Sequence, residues 1–273
     1  MAGVLTTWLF MEASWSWLLL PAALVGVSLA DDILGLRARW RFLAHVVVCG
    51  AFLWAHVSQL PSWSLPLLLF AMVWMVNLYN FMDGADGLAG GMAFFGFGAY
   101  GIAAYLGGST EIVMLTAALV GANLAFLIFN FHPAKIFMGD AGSVPQGFLA
   151  AALGLWGWRQ EAWPAWFPLL VFSPFIVDAT VTLIKRIWRR EKIWQAHKTH
   201  YYQRLVQMGW GHCKTSLAAY VLMLAVGISS LALLGRGGEL VPVLVGAWVF
   251  IYAWLFRSID KLWRRRENAC NDF

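Results

Sequence analysis

The sequence predicts an all-α, polytopic helical membrane protein with about nine transmembrane helices, and three observations lead there. Of its 273 residues, 61% are hydrophobic and only 12% are charged, whereas a soluble domain is near half apolar and a quarter charged. The apolar residues gather into nine runs between short polar segments, and the basic residues fall almost entirely into alternate segments. Trp is frequent, at 17 copies, and the mean hydropathy is +0.68. The chain never turns polar for long enough to build a separate soluble domain, so residues 1–273 read as a single integral-membrane domain.

In chain order the runs are 15–30, 42–57, 64–78, 91–106, 112–131, 144–158, 163–184, 216–234 and 240–256. A helix crossing a hydrocarbon core of about 30 Å needs about 20 residues. Several runs are shorter, and flanking Gly, Ser and Trp residues extend them. Helices are the expected form because lipid offers no partner to backbone N–H and C=O groups. The first run has no basic segment before it and ends at Asp31-Asp32 with no small-residue cleavage site, so it reads as a span and not as a signal peptide.

The connections then alternate sides. One side receives 31–41, 79–90, 131–143, 185–215 and the tail from Arg257. The other receives the N-terminus and the loops near Pro61, Gly108, Gln160 and Arg236. Of the 19 Lys and Arg residues, all but Arg159 and Arg236 fall on the first side, which the positive-inside rule assigns to the cytoplasm. The formal charge of +5 is therefore a topology signal and not the footprint of a nucleic-acid partner. The largest polar piece, a cytoplasmic loop over 185–215, opens with Lys185-Arg186-Ile187-Trp188-Arg189-Arg190-Glu191-Lys192 and continues through Trp194. It reads as an interfacial stop facing anionic headgroups, with anionic substrate as a second candidate for the same field. Cys49, Cys213 and Cys270 are too few and too scattered for a disulfide framework or a zinc site, and read as plain thiols.

The chemistry lies in four loops on the basic side. The first begins at Asp31-Asp32. The second reads Asn77-Leu-Tyr-Asn80-Phe-Met-Asp83-Gly84-Ala-Asp86-Gly87-Leu, and the third Phe129-Asn130-Phe-His132-Pro133-Ala-Lys135-Ile-Phe-Met-Gly139-Asp140-Ala-Gly142-Ser143. The fourth contains His197-Lys-Thr-His200-Tyr-Tyr-Gln-Arg204. Five carboxylates thus gather beside apolar helix ends at one face, where desolvation is costly unless they are paired or hold a metal. Hard oxygen donors suit Mg²⁺ or Mn²⁺, and Lys135, His197, His200 and Arg204 supply the positive charge that phosphates need. Together they describe phosphoryl transfer.

Plainer readings stand beside this one. Asp83-Gly84 and Asp86-Gly87 are also turn dipeptides, and an Asp at a helix boundary is also an N-cap. Asp140, followed by Gly142 and Ser143, adjoins a helix start whose free N–H groups would face an anion. His197 and His200 share a helix face at i, i+3 and read as a phosphate contact, a solvated loop or a zinc pair. Asp178, inside the seventh run, either faces the site or pairs with a basic group. His45, His56 and His212 have no constellation around them.

These motifs resemble the polyprenyl-phosphate N-acetylhexosamine-1-phosphate transferases, members of glycosyltransferase family 4, in order and spacing over 30–204. The resemblance implies an enzyme that moves a sugar-1-phosphate from a UDP-N-acetylhexosamine to polyprenyl (undecaprenyl) phosphate and releases UMP, initiating a cell-envelope glycan. It implies Mg²⁺ or Mn²⁺, a bacterial inner membrane and a cytoplasmic active site, and admits a homodimer. Residue by residue, Asp140 matches the family's metal ligand and Asn80 the amide beside it. Asp31, Asp32, Asp83 and Asp86 match its catalytic acidic residues. Asn130, Lys135, His197, His200 and Arg204 match groups near the substrate. Gly35 stands where the peptidoglycan-precursor branch has Lys, and His-Lys-Thr-His where it has three consecutive His. Both departures point to the O-antigen or capsule-initiating branch of lipopolysaccharide-type assembly. The family also carries two spans before the acidic pair that this sequence lacks. Two other functions stay open at this stage: a membrane transporter, against which the carboxylates crowd one face instead of the midplane, and an inactive scaffold of glycan assembly. Direct attack by the lipid phosphate and a two-step route through an aspartyl adduct both fit these residues.

Overall fold

The computed structural model describes residues 1–192, 197–236 and 238–271. Trp194 and the side chain of Cys270 lie outside the described residues. The elements are α1 (Ala2–Phe10), α2 (Trp15–Leu34), α3 (Ala38–Val57), α4 (Leu65–Phe81), α5 (Leu88–Leu106), α6 (Thr110–Asn130), α7 (Asp140–Arg159), α8 (Trp166–Val171), α9 (Ser173–Trp188), α10 (Tyr201–Leu205), α11 (Gly211–Leu233) and α12 (Val241–Asn271), with no strand among the described residues.

Among the described residues, seven segments are long and apolar enough to cross a membrane. They are α2, α3, Ser62–Phe81, α5, α6, Tyr201–Leu233 and Gly238–Arg266. Their outer surfaces carry large apolar side chains in the open, Trp54 and Phe250 at 81% and 72% exposure among them. That is the surface expected where the solvent is lipid.

Two of the nine expected runs take other forms. Run 144–158 becomes α7, a 20-residue helix of mixed composition with most of its residues buried. It packs chiefly against α4 and α2, so protein and not lipid surrounds it and apolarity is not required of its whole circumference. The approach to α4 is close: a Cβ on Gly147 would stand 2.8 Å from the carbonyl oxygen of Met75 and 2.9 Å from Cα of Val76. Small residues at such contacts let backbones approach where lipid removes the hydrophobic drive for helix association. Run 163–184 is broken at Phe172 into α8 and α9, with Pro174 at the start of the second piece. The expected loop 185–215 is helical at both ends, since α9 continues to Trp188 and α10 starts at Tyr201.

Candidate active site

The site is built at helix ends. α2 ends at Gly35, whose left-handed backbone (φ 62°, ψ 56°) lets its N–H donate to the carbonyl of Asp31 at 2.8 Å. Asp31 is thereby held in the last turn. α3 starts three residues later and brings Arg41 into its first turn. α7 starts after Gly139, at φ 59° and ψ −178°, a region essentially reserved for glycine. Asp140 is thus the first residue of its helix.

These ends meet. One guanidinium nitrogen of Arg41, Nη1, donates to Asp31 Oδ2 at 2.6 Å and to Asp140 Oδ2 at 3.0 Å. The amide Nδ2 of Asn80, at the end of α4, donates to Asp140 Oδ1 at 2.8 Å and to Ser143 Oγ at 3.0 Å. The Ser143 hydroxyl donates in turn to the carbonyl of Gly139 at 3.0 Å. Asp140 is therefore gripped on both oxygens, and the two acidic motifs that are 109 residues apart in the chain share one cation. The Arg41 side chain is 39% exposed, so solvent partly screens the ion pairs.

Asp83 lies behind this cluster in the α4–α5 loop. Burial pushes its carboxyl up to about 7, helped by the charge of Asp140 and opposed by a hydrogen bond from the Gly139 backbone. A cavity of about 450 Å³ opens over the cluster, lined by Arg41, Asn80 and Asp140 together with His45, Asn77, His197 and His200. Arg41 and His45 lie outside the sequence motifs, whereas Asn77 and Ser143 belong to the second and third of them.

The remaining motif residues are distributed otherwise. Asp86 faces away from this cavity and ties loops together. Its Oδ2 accepts from His132 Nδ1 at 2.7 Å and from the Ala134 amide at 3.2 Å, and its own amide donates to His212 Nδ1 at 3.1 Å. Burial alone would raise its carboxyl, but these hydrogen bonds and the two neighbouring His rings hold it below the usual range. His212 thus has a constellation that its sequence neighbours do not reveal. Asn130 is buried and bridges the same loops, accepting from the Gly87 amide at 3.0 Å and donating to the Ile136 carbonyl at 2.8 Å. Asp32 and Lys135 are exposed and line no part of the cavity.

Asp178 caps α10: its carboxylate accepts from the amides of Tyr201 at 2.9 Å and Tyr202 at 3.1 Å. That cap holds His200, 2% exposed, at the cavity wall, with His197 beside it at 4.8 Å between ring centroids. His197 is lowered to about 4, first by burial and then by the charges of His200 and Arg186, against Glu191. It is therefore neutral at pH 7 and offers a hydrogen bond, not the positive charge expected of it. Arg204 points to the opposite side of α10, where Nη1 donates to Asp260 Oδ1 at 2.9 Å and Nε to the Thr199 carbonyl at 2.9 Å.

No three His, Cys, Asp or Glu side chains form a ready-made metal cage among the described residues. The donor set still fits a hard divalent cation. Mg²⁺ is usually held by one or two carboxylates with substrate phosphates and water completing its shell, and Asp31 and Asp140 already converge on a single cationic group.

The sequence profile of glycosyl transferase family 4 matches residues 14–157. A probable undecaprenyl-phosphate N-acetylglucosaminyl 1-phosphate transferase of Bacillus subtilis (strain 168) is 29% identical over 248 residues, covering 85% of this chain and 69% of the relative. The phospho-N-acetylmuramoyl-pentapeptide-transferase of Geobacillus kaustophilus (strain HTA426) is 38% identical over 138 residues, 45% of this chain and 43% of the relative. The enzyme of that name from Limosilactobacillus fermentum (strain NBRC 3956 / LMG 18251) is 31% identical over 211 residues, with coverages of 72% and 64%.

Proposed function

The chain belongs to glycosyl transferase family 4, and from that membership and the geometry of its cavity we propose that it is a phosphoglycosyltransferase acting on polyprenyl phosphate. The donor is a UDP-N-acetylhexosamine, and the products are a polyprenyl diphosphate sugar and UMP. The observation that carries this reading is the meeting of Asp31, Arg41, Asn80 and Asp140 at the ends of membrane helices, the last three lining one cavity.

In the reaction a phosphate oxygen of the lipid attacks the sugar-bearing phosphorus, a new P–O bond forms, and the bond to the UMP oxygen breaks. Both reactants are anions, so their encounter is opposed by repulsion. Arg41 supplies a fixed positive charge to that encounter, and a guanidinium suits phosphate oxygens. Asn80 holds Asp140 by Oδ1 and Arg41 holds it by Oδ2, at the wall of the cavity. A lipid phosphate monoester has its second pKa near 6 and is largely ionised at pH 7, so direct attack has little need of a base. Asp31 then positions Arg41. A Mg²⁺ or Mn²⁺ ion, held by Asp140 with Asp31 or Asp83 beside it, would neutralise the diphosphate and stabilise the departing UMP.

The finer assignment follows the residues that depart from the muramoyl-pentapeptide branch. Gly35 and His-Lys-Thr-His favour a simpler N-acetylhexosamine donor and a role in starting an O-antigen or capsular glycan. The relative that spans 85% of this chain is named for an N-acetylglucosaminyl donor, which supports the same choice. The basic side of the molecule, and with it the cavity, is assigned to the cytoplasmic face of a bacterial inner membrane.

The test is incubation of the purified chain with undecaprenyl phosphate, Mg²⁺ and a panel of UDP-sugars, reading the lipid product by mass and UMP release in parallel. Asp140→Asn is expected to abolish divalent-dependent turnover in a protein that still folds. Asp31→Asn, which loses both the partner of Arg41 and a carboxylate beside the cation, is expected to keep on the order of a hundredth to a thousandth of the activity, a larger loss than removal of Arg41 alone and within the range for one positioned catalytic group. Near-normal turnover of Asp140→Asn at limiting Mg²⁺ would refute the metal assignment. A sugar-phosphate adduct trapped on Asp31 without acceptor would refute direct attack.

A further inference from the structure

A second cavity, of about 300 Å³, lies on the far side of α10, where the ends of α9 and α12 come together. Among the described residues four cations reach it, Lys185, Arg189, Arg204 and Arg264, against the carboxylate of Asp260. Asp260 is already engaged: Lys185 Nζ donates to Oδ2 at 2.6 Å and Arg204 Nη1 to Oδ1 at 2.9 Å. The Arg204 side chain is 6% exposed, and its guanidinium lies 5.1 Å from the centroid of the Tyr201 ring. The floor of the cavity is therefore a fixed, buried cation. Arg189 and Arg264 stand exposed at its mouth. Among the described residues the nearest carboxylate oxygen to Arg189 belongs to Glu191, at 3.9 Å, and Arg186 holds the other Glu191 oxygen at 3.0 Å. Positive charge is thus in excess.

The surroundings say what kind of anion fits. Trp188, 81% exposed, borders the cavity, and exposed apolar side chains adjoin its lining residues along the chain, Ile184 next to Lys185 and Ile187 next to Trp188 on α9, and Leu262 next to Trp263 on α12. Exposed Trp next to a cluster of Lys and Arg at the end of apolar helices is the pattern of a membrane–water interface. A soluble anion would use the cations and leave the apolar flank idle. A phosphate with acyl chains attached uses both.

We propose that this cavity binds the phosphate headgroup of an anionic membrane lipid, at a site separate from the catalytic cavity. Arg204 and Lys185 form its base, Arg189 and Arg264 close on the phosphate oxygens, and the acyl chains run along Ile184 and Ile187. Basic pockets between membrane helices select anionic headgroups in this way. The inference rests on the cavity alone and holds whichever sugar the enzyme transfers.

Native mass spectrometry of the full chain in detergent, titrated with phosphatidylglycerol or phosphatidylcholine, tests it. The Arg189→Ala/Arg264→Ala double variant removes two exposed side chains, so its fold is not at risk, and an unchanged melting temperature checks that. The wild type is expected to retain one more phosphatidylglycerol than the variant, whose affinity falls on the order of thirtyfold for two near-surface cations. Phosphatidylcholine retention is expected to be equal in both. Equal phosphatidylglycerol retention in the two proteins overturns the proposal. Displacement of the retained lipid by millimolar inorganic phosphate overturns the lipid headgroup in favour of a soluble anion. Displacement by UDP overturns the separation of the two sites.

Discussion

Arg41 is the residue through which two distant acidic motifs become one site. In the sequence it is one of many basic residues on the charged side, ten positions after Asp31 and across a helix start, and it reads only as a topology charge. Its chemical part is invisible until α2 and α3 are placed so that Nη1 lies 2.6 Å from Asp31 and 3.0 Å from Asp140. Hydrogen bonds to charged groups are worth about 1.5–3 kcal/mol, so Arg41→Ala is expected to lower turnover on the order of ten- to a hundredfold. UMP release measures this, and a rate within twofold of wild type would remove Arg41 from the mechanism. Asp31, Asn80 and Asp140 were legible because carboxylates and amides at apolar helix ends are costly without a task. Asp86 and Asn130 carry the same signature, yet the structure uses both to hold loops. Sequence reveals that such a residue must be satisfied, not by what.

Asp83 supplies a pH dependence. Burial, then the charge of Asp140, pushes it up to about 7, whereas an unfolded chain would ionise it near 4. The folded state therefore carries an extra proton between about pH 4 and 7, and the contribution of this group to stability falls as pH rises through that window. A bound cation requires the opposite, the charged form, so its binding expels the proton below pH 7. The affinity for Mn²⁺, followed by electron paramagnetic resonance, is expected to be on the order of tenfold weaker at pH 6 than at pH 8. Asp83→Asn should flatten the profile. A flat profile in the wild type would place Asp83 outside the cation's surroundings.

At the scale of elements, the site depends on where helices start and stop. The start of α7 is set by Gly139, whose backbone geometry few other residues adopt. There is room for a methyl group there, so Gly139→Ala tests conformation and not crowding. The strain is on the order of 1–3 kcal/mol. Relief of that strain would turn Asp140 away from Arg41 and Asn80. We expect a lower melting temperature together with a loss of turnover greater than the fraction unfolded accounts for, and full activity in this variant would show that the α7 start is not critical. The short α10 explains why the His-Lys-Thr-His loop was only partly legible. Its two faces serve different cavities, and nothing in the spacing of His200 and Arg204 says which face each takes until Asp178 is seen to cap Tyr201 and Tyr202.

For the whole molecule, the alternation of basic segments implies nine crossings, while seven segments among the described residues satisfy length and apolarity alone. The difference lies in the runs at 144–158 and 163–184, and both have a physical explanation. α7 has 20 residues, about 30 Å at 1.5 Å per residue, enough to cross, and its partners are other helices. A helix sheathed by protein can carry Gly, Ser and Gln without meeting lipid, so hydropathy undervalues it. α8 and α9 are each too short to cross, but end to end they cover Trp166–Trp188, and a break is tolerated where neighbouring helices cover the freed backbone groups. If both units cross, Gly108 and Lys198 lie on opposite faces, with Lys198 on the side of Asp31, Asp83 and Asp140. If only one crosses, the two positions share a face and the basic residues scatter over both sides, against the positive-inside rule. Single cysteines at 108 and 198, in a chain whose own cysteines are replaced by Ser, are therefore expected to react with a membrane-impermeant maleimide from opposite sides of sealed vesicles. Labelling of both from one side would remove one crossing, and with it the assignment of the catalytic cavity and the His197–His200 loop to a common face.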